Sequence, residues 1–136
     1  MFQRTLELPA TRRGLHDITA RVEALVAESG VRTGLCHLFL QHTSASLLIQ
    51  ENADPRVLAD LDAWFSKMVR DGDPQWTHTD EGPDDMPSHV RAALTQPALA
   101  IPVSGGTLAL GTWQAVYLFE HRLAPHRRRL IMTVYG

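Results

Sequence analysis

The C-terminal third of the chain is a succession of short apolar segments separated by turn-forming residues, and this pattern constrains the fold more than any other feature. The turn formers Ser104-Gly105-Gly106 and Leu123-Ala124-Pro125 separate segments of this series. Because a parallel neighbour requires a long crossover, connections this short predict antiparallel pairing of consecutive strands. The predicted strands are 98–103, 107–110, 113–120 and 128–135.

Two amphipathic helices are predicted in the first half of the chain. Apolar residues recur at helical spacing over 15–29, and Gly30 supplies a stop. A second helix over 55–69 has Asp54 as its expected N-cap and Pro55 in its first turn. Its buried face is predicted to contain Leu58, Leu61, Phe65 and Met68.

The remaining segments predict further strands, a long loop and a short helix. Residues 2–8 alternate like a half-buried strand, and 34–50 read as two strands or one bent strand interrupted at the polar step 41–44. The segment 71–87 is rich in turn formers and predicts a loop, and long loops of this kind are often functional. A short helix is expected over 88–94.

These elements predict an α+β fold, an antiparallel, sandwich-like β-sheet system with two or three helices in a single domain over residues 1–136. A formal net charge of −2 lacks the positive field of a nucleic-acid-binding domain, so we expect no nucleic-acid partner. No apolar run is long enough to cross a bilayer, and the N-terminus lacks the layout of a signal peptide. We therefore expect a cytoplasmic protein without membrane contact.

Histidines are the most numerous candidates for a functional site, with seven in the chain. His42 lies in a polar step between strongly apolar segments, whereas His78 and His89 flank an acidic stretch. Imidazoles together with carboxylates suit zinc or another divalent metal. However, the spacing of His78 and His89 matches no standard ligand motif, so His42 could instead be a hydrogen-bonded core residue and the other two could cap turns. The remaining histidines, His16, His121 and His126, are predicted to be solvated, and His37 is predicted to lie on a strand.

Several other polar residues lack an evident structural explanation. Glu51 and Asn52 directly follow a predicted strand, while Gln114 and Glu120 lie on one face of another. A buried Gln114 amide would either bond across the sheet or face a site. Hydroxyl groups of Thr43, Ser44 and Ser46 could donate to a phosphate, although no glycine-rich phosphate loop is present.

In their order and spacing, these residues resemble the YjbQ family, the secondary thiamine-phosphate synthases. The resemblance covers essentially the whole chain, and it is carried by Gln41-His-Thr-Ser-Ala-Ser46, Glu51-Asn52 with Asp54, His78 with Glu81-Gly82, Asp84-Asp-Met-Pro-Ser-His89, Gly111-Thr-Trp-Gln114 and Glu120. It implies an α+β protein that assembles as a homotrimer, with a polar pocket near the subunit boundary and a divalent metal, zinc or magnesium.

The resemblance also implies an activity: a pyrimidine-methyl pyrophosphate is joined to a thiazole phosphate with release of pyrophosphate. Carried over residue by residue, the metal ligands or catalytic residues are His42, His78 and His89, and further catalytic or lining residues are Glu51, Asp54, Gln114 and Glu120. Asn52 is carried over as a further lining residue. Independently of the resemblance, the hydroxyls of Thr43 and Ser44 and one of Arg127, Arg128 and Arg129 suit the binding of phosphate groups, so we predict that Thr43, Ser44, Asn52 and Arg128 bind the phosphorylated substrate or cofactor.

The chain departs from the family pattern at two places, and two functions other than the synthase reaction are also considered. Pro87 stands where many members carry a carboxylate two residues before the histidine, and 121–126 replaces an acidic-Gly-Pro-Arg turn. We therefore expect differences in the metal ligands or the substrate. The alternatives are a metal-dependent hydrolase or lyase of a small phosphorylated metabolite, and a non-catalytic trimer that binds a ligand or metal.

Overall fold

A computed structural model describes all residues, 1–136. The chain forms eight strands and three helices, in the order β1 (Phe2–Thr11), β2 (Gly14–Asp17), α1 (Thr19–Ser29), β3 (Thr33–Leu40), β4 (Ala45–Glu51), α2 (Pro55–Met68), α3 (Asp85–Leu94), β5 (Ala98–Ser104), β6 (Thr107–Leu108), β7 (Gln114–Glu120) and β8 (His126–Tyr135).

The strands form two antiparallel sheets that share one hydrophobic core. The larger sheet has the order β1-β8-β3-β5-β6 and the smaller one β2-β7-β4. Alternate residues of β3 and β8, such as Leu38 and Met132, point into the core, where they join Val116 and Leu118 of β7 and Val22 of α1. The predicted α+β class with an antiparallel sheet system is confirmed.

The pairing predicted for consecutive strands is correct for β5 and β6 only. There, Gly105 and Gly106 adopt positive φ angles of 61° and 83°, as a two-residue hairpin turn requires. The predicted pairing of 107–110 with 113–120, and of 113–120 with 128–135, is wrong. Each of those short connections carries the chain from one sheet to the other, and β8 lies between β1 and β3 instead.

Helix boundaries differ from prediction at two N-termini. Helix α1 begins at Thr19 rather than residue 15, because the preceding segment pairs with β7 as strand β2. Gly30 ends this helix in the left-handed conformation, as predicted. Helix α3 begins at Asp85, three residues earlier than predicted, and this difference shapes the functional site.

Helix α2 follows the prediction closely at its N-terminus. The Asp54 side chain accepts a hydrogen bond from the backbone N–H of Arg56 at 2.9 Å, and Pro55 is the first helical residue. Phe65 is buried as predicted, but Met68 is 59% exposed, so its place on the buried face was wrongly assigned. None of the three helices has the length and apolar character needed to span a bilayer.

Candidate functional site

Two of the predicted histidines meet around one buried carboxylate. Nε2 of His78 lies 3.2 Å from Oδ2 of Asp85, and Nε2 of His89 lies 3.3 Å from Oδ1 of the same residue. Possible ligand atoms of these three side chains all lie within 4.8 Å of one another. We refer to His78, Asp85 and His89 as the histidine–aspartate cluster. Two imidazoles and a carboxylate form a chemically suitable donor set for a divalent metal ion.

The start of helix α3 explains why Asp85 and His89 converge. They lie four positions apart on one helix, and residues at this spacing share a face. His78 approaches from the preceding loop, with its ring centroid 5.3 Å from that of His89. Asp85 is absent from the predicted site because the predicted helix begins at residue 88. With that boundary, Asp85 lies in a loop and its helical spacing from His89 is not apparent. An Asp-x-x-x-His pattern on a correctly bounded helix would have identified it.

Pro87 lies in the first turn of α3, where a proline removes no hydrogen bond that the helix needs. The sequence comparison with the family pattern marks this proline as a departure, because many members carry a carboxylate here, two residues before the histidine. In the folded chain Asp85 instead supplies a carboxylate from four residues before His89. The cluster therefore keeps an acidic member despite the substitution.

Hydrogen bonds at the rim of the cluster fix the proton on one histidine. Nδ1 of His89 lies 3.1 Å from the backbone oxygen of Thr43, and a carbonyl can only accept, so Nδ1 carries the proton. Nε2 of a neutral His89 is then a lone-pair acceptor facing a carboxylate oxygen of Asp85, which is itself an acceptor. Two acceptors 3.3 Å apart require a cation or a proton between them.

Asp85 is almost fully buried, with 2% of its side chain exposed. Apart from the two histidines, its hydrogen-bonding partner is the backbone N–H of Glu81, which donates to Oδ2 at 3.2 Å. A buried carboxylate with so few donors is stabilised by a positive charge beside it. Its burial therefore favours a cation at the histidine–aspartate cluster.

Arg122 lies in the connection between β7 and β8 and forms hydrogen bonds to the loop that precedes α3. Its Nε donates to Oδ2 of Asp84 at 2.9 Å, and its Nη1 and Nη2 donate to Oε2 and the backbone oxygen of Glu81 at 3.1 and 2.9 Å. Burial by itself raises the pKa of Asp84, but hydrogen bonds from Arg122 and the N–H of Leu123 outweigh it and lower that pKa. No local sequence pattern indicates this role of Arg122, because its partners lie about 40 residues away in the chain.

His42 does not belong to the histidine–aspartate cluster in this chain, which corrects the predicted metal set of His42, His78 and His89. Its Nε2 accepts a hydrogen bond from the backbone N–H of Arg129 at 2.7 Å, and its Nδ1 lies 3.4 Å from Nη1 of Arg128. Burial, and then the Arg128 charge, lower its pKa. Within the cluster, Asp85 takes the place assigned to His42, because it begins the helix that carries His89.

Glu120 and Arg128 form a buried ion pair beside His42. Nε of Arg128 donates to Oε1 of Glu120 at 2.7 Å, Nη2 donates to Oε2, and Nη2 also donates to the backbone oxygen of Ser44. Neither side chain is appreciably exposed. Both oxygens of Glu120 therefore accept hydrogen bonds from Arg128 and hold its guanidinium in place.

Glu51, Asn52 and Gln114 lie at the opposite end of the smaller sheet. In the pairing of β4 with β7, Glu51 faces Gln114, whereas Ala45 faces Glu120. Six residues of β-strand correspond to about 20 Å. These three predicted site residues therefore do not join the histidines within one chain.

Local backbone contacts account for the polar groups at this end. Oε1 of Gln114 accepts from the N–H of Gly111, and the exposed Gln114 is not the buried amide we considered. Oε2 of Glu51 accepts from the N–H of Asp54, and the Asn52 amide donates to the oxygen of Thr112 at 3.3 Å.

An open cleft of about 680 Å³ adjoins the cluster. One wall comes from the end of β3 and the segment leading to β4, which includes Thr43 and Ser44, and the other from the face of α3 that carries His89. A volume of this size accommodates one small organic ligand. His42, Thr43, Ser44 and His89 therefore line one cleft.

His121 was predicted to be solvated, and this prediction is wrong. Its ring is fully buried against Phe119, with centroids 4.5 Å apart, and its Nε2 lies 2.9 Å from Oγ of Ser46. Burial, followed by the charge of Arg91, lowers the pKa of His121 to about 3. The polar sequence around position 121 resembled a surface turn because it gives no sign of the change of sheet.

Comparison with known proteins gives a consistent result over the full length of the chain. Residues 4–136 match the family described as UPF0047 protein YjbQ-like. The chain is 48% identical over 134 residues to UPF0047 protein sll1880 of Synechocystis sp., covering 98% of this chain and 91% of that protein. It is 45% identical over 136 residues to UPF0047 protein YjbQ of Salmonella typhimurium, covering 99% and 98%.

Solved structures share the fold. The conserved hypothetical protein TT1486 from Thermus thermophilus is similar with a TM-score of 0.86 and 34% identity, covering 97% of this chain and 99% of that one. The hypothetical protein APE1520 from Aeropyrum pernix is similar with a TM-score of 0.87 and 28% identity, covering 100% and 99%.

Proposed function

The chain belongs to the YjbQ-like UPF0047 family, and from this membership and the geometry of its histidine–aspartate cluster we propose a metal-assisted enzyme that acts on a small phosphorylated substrate. The observation that carries the proposal is the convergence of His78 and His89 on Asp85 at the edge of an open cleft. The predicted site residues at the far end of the smaller sheet do not contribute to this argument.

The donor set favours one of the two metals under consideration. Magnesium prefers oxygen ligands in near-octahedral geometry, whereas zinc accepts imidazole nitrogen readily. His78 and His89 together offer two nitrogens against the single carboxylate of Asp85. We therefore propose zinc, or a similar first-row ion. Such an ion would neutralise negative charge that develops on a leaving group.

The reaction that the family resemblance implies is a group transfer. The ring nitrogen of a thiazole phosphate bonds to the methylene carbon of the pyrimidine, while the bond from that carbon to the pyrophosphate oxygen breaks. Pyrophosphate leaves with the bonding electron pair. The chain's contribution is to hold the two substrates in line, and Thr43 and Ser44 on the cleft wall offer hydroxyl donors for phosphate oxygens.

Hydrolysis or elimination on one phosphorylated substrate is the second candidate. The observation that favours it is the exposure of the cluster, since 52% of the His78 side chain and 32% of the His89 side chain are open to solvent. A site this open admits water as a nucleophile. A non-catalytic binding role would use the same residues but would show no turnover.

We further propose that the chain assembles as a homotrimer, as the resemblance implies. Large apolar side chains stand more than half exposed on the single chain, among them Trp64, Met68 and Trp113. Exposed apolar groups of this size are typical of surfaces that bind another protein. Light scattering at micromolar concentration tests this proposal, and a monomer would contradict it.

The first experiment measures metal content in protein purified without a histidine tag. We expect about one divalent ion per chain in the wild type and its loss in the Asp85→Asn variant and in the His78→Ala, His89→Ala double variant. Asp80→Asn is the matched control, because Asp80 is an exposed aspartate of the same loop. Wild-type protein without metal, or retention of metal in Asp85→Asn, would refute the metal site.

A second measurement separates the two enzymatic candidates. Pyrophosphate release is followed with the pyrimidine-methyl pyrophosphate alone and with added thiazole phosphate. Release that requires both substrates supports the transferase, and release from one substrate alone supports the hydrolase or lyase. No release under either condition with metal-loaded protein would contradict both reactions on this pyrophosphate and favour a binding role.

A further inference from the structure

A second cleft, of about 450 Å³, adjoins the first and has no apolar side chain in its wall. Gln41 and His42 contribute to both clefts, so these two residues lie between them. The complete wall consists of Glu7, Gln41, His42, Arg127, Arg128 and Arg129. We call this space the arginine cleft.

The hydrogen bonds of His42 determine which of its nitrogens carries the proton. The backbone N–H of Arg129 can only donate, and it lies 2.7 Å from Nε2, so Nε2 is the acceptor. A neutral imidazole has one acceptor and one donor, which makes Nδ1 an N–H group. Burial and the neighbouring Arg128 charge lower the pKa of His42 and so favour this neutral form.

Nδ1 of His42 therefore faces another donor. Nη1 of Arg128 lies 3.4 Å away, and a guanidinium has no acceptor. The Nε and Nη2 groups of Arg128 are already bonded to Glu120 and to the backbone oxygen of Ser44. The Nη1 group of Arg128 contacts only the Nδ1 group of His42, which is also a donor. Only 3% of the Arg128 side chain is exposed. Two donors that meet at an open cleft can share one acceptor, and such an acceptor offsets the cost of burying a donor without a partner.

The charge of the arginine cleft specifies the kind of acceptor. Three arginines line the cleft, whereas only two carboxylates balance their charge: Glu7 in the wall and Glu120, which is paired with Arg128. Arg127 is exposed, and Arg129 makes only an exposed contact of 3.3 Å with Glu7, so both can turn toward a ligand. An anion with several oxygens can accept hydrogen bonds from the donor pair of His42 and Arg128 and also from the exposed Arg127 and Arg129.

We propose that the arginine cleft binds the phosphate group of a phosphomonoester, with one oxygen accepting hydrogen bonds from Nδ1 of His42 and Nη1 of Arg128. The organic part of that substrate lies across Gln41 and His42 in the adjoining cleft, toward the histidine–aspartate cluster. This assignment rests on the proposed function for the identity of the substrate. It gives His42 and Arg128 a binding role that is separate from the metal.

Titration of chelator-treated protein with inorganic phosphate tests the proposal without metal and without turnover. We expect binding to the wild type by calorimetry, and affinity lowered roughly tenfold or more in His42→Gln and in Arg128→Lys. The glutamine keeps an acceptor for the N–H of Arg129 but lacks the Nδ1 donor, and the lysine keeps a charge for Glu120. Arg32→Gln removes an exposed arginine outside this cleft and should leave phosphate affinity unchanged.

A second readout keeps the test decisive if a variant fails to fold. The ¹⁵N chemical shifts of His42 in the wild type report its tautomer, and we expect a protonated Nδ1. A protonated Nε2, absent phosphate binding, or equal affinity in His42→Gln, Arg128→Lys and wild type would each overturn the proposal. Because the protein is metal-free, failure here leaves the metal analysis of the histidine–aspartate cluster unaffected, and failure there leaves phosphate binding intact.

Discussion

Arg122 and Asp84 are joined by a hydrogen bond of 2.9 Å between two nearly buried side chains, and this bond links the segment after β7 to the loop that precedes α3. Asp84 is the immediate neighbour of Asp85. The position of the carboxylate in the histidine–aspartate cluster therefore depends on a residue that does not touch the candidate metal site.

Arg122→Lys is expected to weaken metal binding without removing a ligand. A lysine cannot reproduce the contacts of the guanidinium with Asp84 and Glu81, so the loop loses its fixed position. Replacing groups that orient metal ligands typically lowers affinity by about 10- to 100-fold. Competition with a chromophoric zinc chelator measures the change. Arg12→Lys, at an exposed position, is the control, and equal affinities in both variants would contradict the orienting role.

Glu120→Gln should strongly destabilise the fold. The substitution leaves the Arg128 charge buried without its partner, and breaking a buried pair in this way typically costs about 3–5 kcal/mol. Urea unfolding gives the free energy of unfolding. The matched control is Glu7→Gln, because the pair of Glu7 with Arg129 is exposed and such pairs contribute about 0–1 kcal/mol. Similar losses in the two variants would contradict the burial argument.

Local signals in the sequence predicted the local parts of the fold. Asp54, Pro55 and Gly30 act within a few residues of their own positions, and the helix ends that they predict are confirmed. The sheet changes after β6 and β7 depend on the core as a whole, so the short connections gave the wrong pairing. The burial of His121 has the same cause.

In the candidate site, too, the features with local sequence signals were predicted and those that depend on distant residues were not. Residue type and an acidic loop were sufficient to select His78 and His89, but Asp85 requires the correct first residue of α3. Arg122 and the Arg128–Glu120 pair involve residues far apart in sequence or on different sheets, which no spacing rule detects.

Acid should destabilise the protein partly through His121. Its pKa is about 3 in the folded chain, mainly because of burial, whereas an unfolded histidine titrates near 6.5. The unfolded state therefore binds the extra proton between these values, and stability falls as the pH decreases from about 6.5 toward 3. His121→Gln should flatten this dependence by up to ~1.4 kcal/mol per pH unit, measured by urea unfolding across the range. His126→Gln serves as the control, and an equal slope in wild type and His121→Gln would refute the assignment.

Zinc should stabilise the folded protein through the histidine–aspartate cluster. An ion that binds only the folded state adds RT ln(1 + [L]/Kd) to the free energy of unfolding, which is about 2.7 kcal/mol when free zinc is 100 times Kd. Thermal unfolding of chelator-treated protein, with zinc added stepwise at constant protein concentration, measures this gain. Asp85→Asn should remove most of it, because the buried carboxylate lies between both imidazoles. Asp80→Asn should retain it, since that aspartate is exposed. A gain of equal size in Asp85→Asn would mean that zinc stabilises the fold from another position.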